Sequence, residues 1–347
     1  MSYFRFSFFF TFVCVCLAGY WGYSNGGLTG LVAALTITLI LGAMEISLSF
    51  DNAVVNASVL KDMDEYWRKM FLTVGILIAV FGMRLVFPIV IVAVASGQGM
   101  FDVIDMGLNQ PDLYSYHLMS NHTSIAAFGG IFLYMVFLGF LLDDSKDVHW
   151  LGVIEEKLGR LGKIESIQVV IGLVTLLLLQ HFLPIPADEK AILLTSGIWG
   201  LVLWVAVSSL GSLFKDQEAG DAAVSVVKRS GAMSFVYLEV LDASFSFDGV
   251  IAAFAISKDV VIIMLGLAIG AIFVRSMTIF LVNKGTLQEY IYLAHGAHYA
   301  VGILSIIMFV SIHKHVPELF TGLVGIGFIV AALFSSVRYK RKHAKAS

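Results

Sequence analysis

Along this chain, apolar residues run in long unbroken stretches and polar residues cluster in the short gaps between them. A helix needs about 20 apolar residues to cross a bilayer. Runs of that order lie at 5–22, 28–58, 70–96, 124–142, 166–184, 190–214, 232–256, 260–283, 291–312 and 318–337. The pattern predicts an all-α membrane protein of about ten transmembrane helices. The first run lacks a small-x-small cleavage site and ends in Tyr20, Trp21 and Tyr23, which suit an interfacial belt, so it is read as a retained span. Composition agrees. Of 347 residues 59% are apolar and 14% charged, which excludes an ordinary soluble globule, and a net charge of −3 excludes a nucleic-acid binder. Cys14 and Cys16 are too close together for a disulfide and too few for a soft-metal cage.

Cytoplasmic loops collect Lys and Arg. With the N-terminus inside, seventeen of the 22 basic residues fall in cytoplasmic segments, Lys190, Lys258 and Lys314 fall outside, and Arg84 and Arg275 lie within spans. Both termini are therefore expected in the cytoplasm of an inner (plasma) membrane, with the tail Arg338 to Lys345 anchoring the last helix at the anionic leaflet. The outer segment 97–123 carries Asp102, Asp105 and Asp112 and no base, and is read as a solvated loop.

The chain repeats itself. EISLSFDN at 45–52 overlays DASFSFDG at 242–249, sharing acidic-x-Ser-x-Ser-Phe-Asp, and Gly75 precedes Arg84 by the same interval as Gly266 precedes Arg275. The two motifs lie five spans apart, an odd number, so the copies cross in opposite directions. The expected organisation is an N-terminal helix (1–24), a three-helix repeat (25–145), a cytoplasmic loop with two connecting helices (146–231), an inverted three-helix repeat (232–316), and a last helix with a basic tail (317–347). Inverted repeats place a binding site near the midplane.

Glu45, Asp51, Glu239, Asp242 and Asp248 all fall within spans. An ionised acid at a helix centre costs about 2.5–3.5 kcal/mol on insertion scales, so such acids need partners, protons or water. Glu45, Ser49, Asn52 and Asn56 form one helical stripe, and Glu239, Asp242, Ser246 and Gly249 form its counterpart. Asp51 and Asp248 lie about 120° off these stripes in an unbroken helix, and local unwinding near Ser-Phe-Asp would bring them to one cavity. The donors, with Ser47 and Ser244 added, are oxygen throughout, which favours a hard divalent cation such as Mn2+, Mg2+ or Ca2+. The expected metal residues are Glu45, Asp51, Asn52, Glu239, Asp242 and Asp248, supported by Ser47, Ser49, Asn56, Ser244, Ser246, Arg84 and Arg275. Two arginines cannot neutralise five acids. Arg84 and Arg275 are read as bracing or counter-ion groups, with a stand-in for the cation as the other reading. His295 and His298 are read as structural.

With these residues in view, EISLSFDNAVVNA and DASFSFDGVIAAF, together with Arg84 and Arg275, resemble the TerC family of the LysE-type transporter superfamily over about 28–145 and 230–315. The resemblance implies paired three-helix units, metal-ion export with manganese in the best-understood branches, and an association with tellurium resistance. By position it makes Glu45, Asp51, Asn52, Asp242 and Asp248 the metal-binding groups. Gly249 in place of a second Asn, the additional Glu239 and the extra spans mark a divergent subfamily. The expected function is export of a hard divalent cation as substrate, Mn2+ foremost, with proton exchange admitted. The expected partners are the cation, protons, the bilayer and, in a homo-oligomer, further copies of the chain. No organic cofactor, enzymatic activity or nucleic-acid partner is expected. The alternative is a membrane-embedded sensor or partner-binding protein in metal or envelope stress.

Overall fold

A computed structural model describes residues 2–61, 63–75, 77–164, 166–216, 231–314 and 316–344. Lys228, Arg229 and Lys345 lie outside the described residues, and Asp248 is described by its backbone alone. The described chain is helical with no strand. In order come α1 (Arg5–Leu48), α2 (Phe50–Leu60) and α3 (Glu65–Met70), then two π-helical segments, Phe71–Gly75 and Ile78–Val86. Next are α4 (Phe87–Ser96), α5 (Met100–Asn109), α6 (Pro111–Ser120), α7 (His122–Leu141), α8 (Val153–Leu161), α9 (Ile167–Phe182) and α10 (Ala187–Asp216). The chain ends with α11 (Gly231–Ile256), α12 (Val260–Asn283), α13 (Thr286–Glu289), α14 (Leu293–Ser311) and α15 (Glu318–Ala344).

Six helices among the described residues are long and apolar enough to cross a membrane, and the bent pair Glu65–Gly75 with Ile78–Ala93 makes a seventh if it is one span. One of the six, α1, is 44 residues long and contains two helical stretches. Gly26 and Gly27 break its helix, Gly27 at φ 58° and ψ −144°, a conformation that only glycine adopts cheaply. The chain turns back on itself there. Gly22 and Gly30 then lie backbone to backbone, and a side chain at either would strike the other's carbonyl. Without a hydrophobic force between helices in lipid, such close approach of small residues is what holds a hairpin together. Gly22→Leu is therefore expected to splay the hairpin and cost about 1–3 kcal/mol, read as a lower unfolding midpoint in detergent.

Both stretches of α1 pack along α12, the second through Leu41 and Gly42, and α7 lies between α10 and α14. Ser7 donates to Ile272 O of α12 (3.1 Å), and Trp21 Nε1 donates to Asp259 at 2.8 Å, so polar groups fasten the first stretch at two points. The central core gathers Leu60, Phe132, Leu238, Leu241 and Met308. Phe9, Phe12, Leu177, Trp199 and Phe334 point outward and exposed, as expected of surfaces that meet lipid tails.

The segment 97–123 is not a plain solvated loop. It folds into α5 and α6, whose Val103, Met106, Tyr114 and Leu118 bury in a second apolar cluster with Leu41 and Leu267. Its acids Asp102, Asp105 and Asp112 lie on the exposed face, a pattern that charge counting by itself does not distinguish from a loop.

The connection after α7 is also anchored. Glu155 of α8 is fully buried, takes a 2.8 Å ion pair from Lys146 Nζ and a 3.2 Å bond from Leu151 N, and lies 3.4 Å from His295 Nε2. His298 stacks on Phe140 at 4.1 Å and binds Ala294 O, a structural role like that of His295. Burial raises the Glu155 carboxyl, but Lys146 and the Leu151 N–H outweigh it and hold the group below its ordinary value of about 4.3. A depressed acid contributes stability above its unfolded value and loses it as pH falls through the folded one. Lys146→Met is thus expected to remove the plateau of stability above about pH 5 and leave the acid end of the unfolding curve unchanged, as measured by thermal unfolding against pH.

Candidate functional site

The two segments that carry the matching motif meet one another, α1 and α2 on one side and α11 on the other. The first copy is broken: α1 ends at Leu48, Ser49 is non-helical at φ −102° and ψ 16°, and α2 starts at Phe50. The second copy runs unbroken through α11. Unwinding at Ser-Phe-Asp therefore occurs in the first copy alone.

Across the crossing, Asn52 Nδ2 donates to Asp242 Oδ1 at 2.6 Å and Asn56 Nδ2 donates to the same oxygen at 3.1 Å. The reciprocal contact joins Glu45 to Gly249, where a Cβ would stand 2.5 Å from Glu45 Oε2. Glu45 is 1% exposed; it accepts from Ser49 Oγ at 3.0 Å and forms an ion pair with Arg84. Gly270 of α12 gives Glu45 its place, since a side chain there would strike the Glu45 stem.

The second π segment presents Arg84, whose Nη1 donates to Ala79 O at 2.6 Å while Nη2 holds Glu45. Arg275, its counterpart on α12, donates to Leu72 O in the first π segment. π-helical turns inside longer helices frequently mark functional sites. Arg84, Arg275, Asn52, Asn56 and Asp242 line one cavity of about 30 Å3, closed by Phe71, Val80 and Val274. That volume holds a water or two, or a small ion. Both asparagine Oδ1 atoms and both arginine Nε atoms are buried without a hydrogen-bond partner.

The remaining expected residues stand apart. Asp51 is buried, takes the Asn52 N–H at 3.0 Å and faces α15, where a Cβ on Gly325 would stand 3.7 Å from its Oδ2. Glu239 packs its Oε1 on Gly75, with neither carboxylate oxygen bonded, and its stem lines a separate apolar cavity of about 390 Å3 with Met83, Phe128, Ser244 and Met308. Ser47 is exposed and bonds Ala43 O, Ser244 bonds Val240 O, and Ser246 is buried. Among the described residues, no three His, Cys, Asp or Glu gather closely enough to hold a metal. The acids are spread over several neighbouring stations. Sequence reasoning missed Gly270 and the Leu72 and Ala79 carbonyls. The Gly266-x-x-x-Gly270 spacing, a signature of close helix contact, was the available signal for the first.

The family model described as "Protein of unknown function (DUF475)" matches residues 50–343. The chain belongs to this family. The matched span takes in Asp51, Asn52, Asn56, both arginines and all of α11 and α12, and leaves Glu45 just outside. No curated protein and no solved structure matches the chain.

Proposed function

We propose that this DUF475 chain is a multi-pass transporter that exports a hard divalent cation, Mn2+ foremost, by alternating access around the cavity between α2, α11 and α12. The observation that carries the reading is the pairing of Asp242 with Asn52 and Asn56 across two antiparallel helices, beside a cavity where both amide oxygens stand unpaired. An intramembrane carboxylate with spare oxygen ligands suits a hard cation. The likeness to TerC proteins in the same residues supports the same substrate class.

An inverted repeat is part of the proposal. Its support is reciprocity: Glu45 meets Gly249 as Asp242 meets Asn52, and Gly42 meets Gly266 as Glu239 meets Gly75. In this reading α1 supplies two spans, the bent pair one, and α7, α9, α10, α11, α12, α14 and α15 one each, with both termini cytoplasmic in an inner membrane. Proton exchange is a further part, motivated by the surplus of acids.

The test is Mn2+ flux into proteoliposomes, with and without a pH gradient. Flux that the gradient drives is expected; no flux of Mn2+, Mg2+ or Ca2+ in either direction overturns transport. The rival, a non-transporting sensor, draws on the scatter of the acids. A chain that carries no cation yet assembles with a membrane partner favours it.

A further inference from the structure

Resting on the transport reading, a deeper inference concerns what keeps the site quiet when no cation is present. Among the described side chains, Glu45 and Asp242 are the acids that touch the cavity or its arginine, and Arg84 and Arg275 are the bases. Their formal charges cancel. A dication entering with both guanidinium groups in place meets no net attraction and some local repulsion. Arg84 is 7% exposed, holds Glu45 by one terminal nitrogen and leaves Nε unpartnered, so its place is set by the acid on one side and the Ala79 carbonyl on the other.

The backbone beneath Arg84 can move the side chain away. Ile78–Val86 is π-helical, a form seldom kept beyond a single turn, and one that converts to α-helix by shifting hydrogen bonds one residue along. A one-residue shift turns a side chain by about 100° around the helix axis. That rotation is enough to take the guanidinium off Glu45. The other groups around Glu45 are the Ser49 hydroxyl, which donates one neutral hydrogen bond, and Gly249 and Gly270, which carry no side chain, so none of them replaces the guanidinium charge.

We propose that Arg84 is an internal stand-in for the cation: it occupies Glu45 when the site is unloaded, and an arriving cation displaces it with re-registration of the π segment beneath. Arg275, tied to the Leu72 carbonyl and to no acid among the described residues, is not displaced.

The experiment is equilibrium Mn2+ binding to the purified full-length chain in detergent, followed by the free Mn2+ paramagnetic signal, for the native chain, Arg84→Gln, Arg84→Lys and Arg275→Gln. Losing the competing guanidinium is expected to tighten binding about tenfold or more in Arg84→Gln, with Arg84→Lys near the native value. Arg275→Gln is expected to change binding less than Arg84→Gln. In the native chain, Mn2+ is expected to alter amide hydrogen exchange over 78–86, a readout that needs no variant. Arg84→Gln binding no tighter than the native chain, or bound Mn2+ leaving exchange over 78–86 unchanged, overturns the stand-in. A silent native chain with a binding Arg84→Gln supports it. Silence in both removes the cation reading itself, and the stand-in with it.

Discussion

Asp242→Asn is expected to abolish cation flux while the chain still folds. The amide keeps an oxygen where Asp242 Oδ1 accepts from Asn52 and Asn56, so the crossing of α2 and α11 retains its hydrogen bonds. What disappears is the charge. Of the two acids at the cavity only Glu45 remains to meet a hard dication, and the drop in Mn2+ flux per reconstituted chain is expected to be about 100-fold or more. The unfolding midpoint in detergent is expected to hold, because the shape and the donors' partner are preserved. A variant that transports within about twofold of the native chain moves the carrier site away from Asp242.

The second large effect is on stability. Glu45→Ala leaves the Arg84 guanidinium buried without its acid and opens a void against Gly249 and Gly270. Removing one partner of a buried pair costs about 3–5 kcal/mol, since the survivor is an uncompensated charge. Replacing both partners by apolar residues of similar size, Glu45→Leu with Arg84→Met, is expected to recover most of that loss, because a buried pair owes little net stability to its own attraction. Thermal unfolding of the single and double variants decides it. A double variant no more stable than Glu45→Ala assigns the loss to packing around the Glu45 stem.

Much of the molecule was legible in the chain because lipid imposes simple rules. Backbone groups in hydrocarbon must bond internally, so long apolar runs become helices, and 260–283 and 291–312 match α12 and α14 within a few residues. Repeated polar residues inside apolar runs stood out for the same reason. Glu45, Asn52, Asn56, Asp242, Arg84 and Arg275 do converge on one crossing. Their grouping was less legible. Asp51 and Glu239 carry the same type of charge, yet one turns to α15 and the other lies across Gly75.

The sequence by itself determined the helical class, the membrane setting, the twin motifs and the residue types that make a hard-cation site plausible chemistry, since each follows from local composition and period. Only the tertiary structure decided which acid meets which partner. The break at Ser49, the π turns under Arg84 and the glycines at 75, 249 and 270 set those meetings. Each depends on how closely distant backbones approach, a quantity that no local pattern along the chain records.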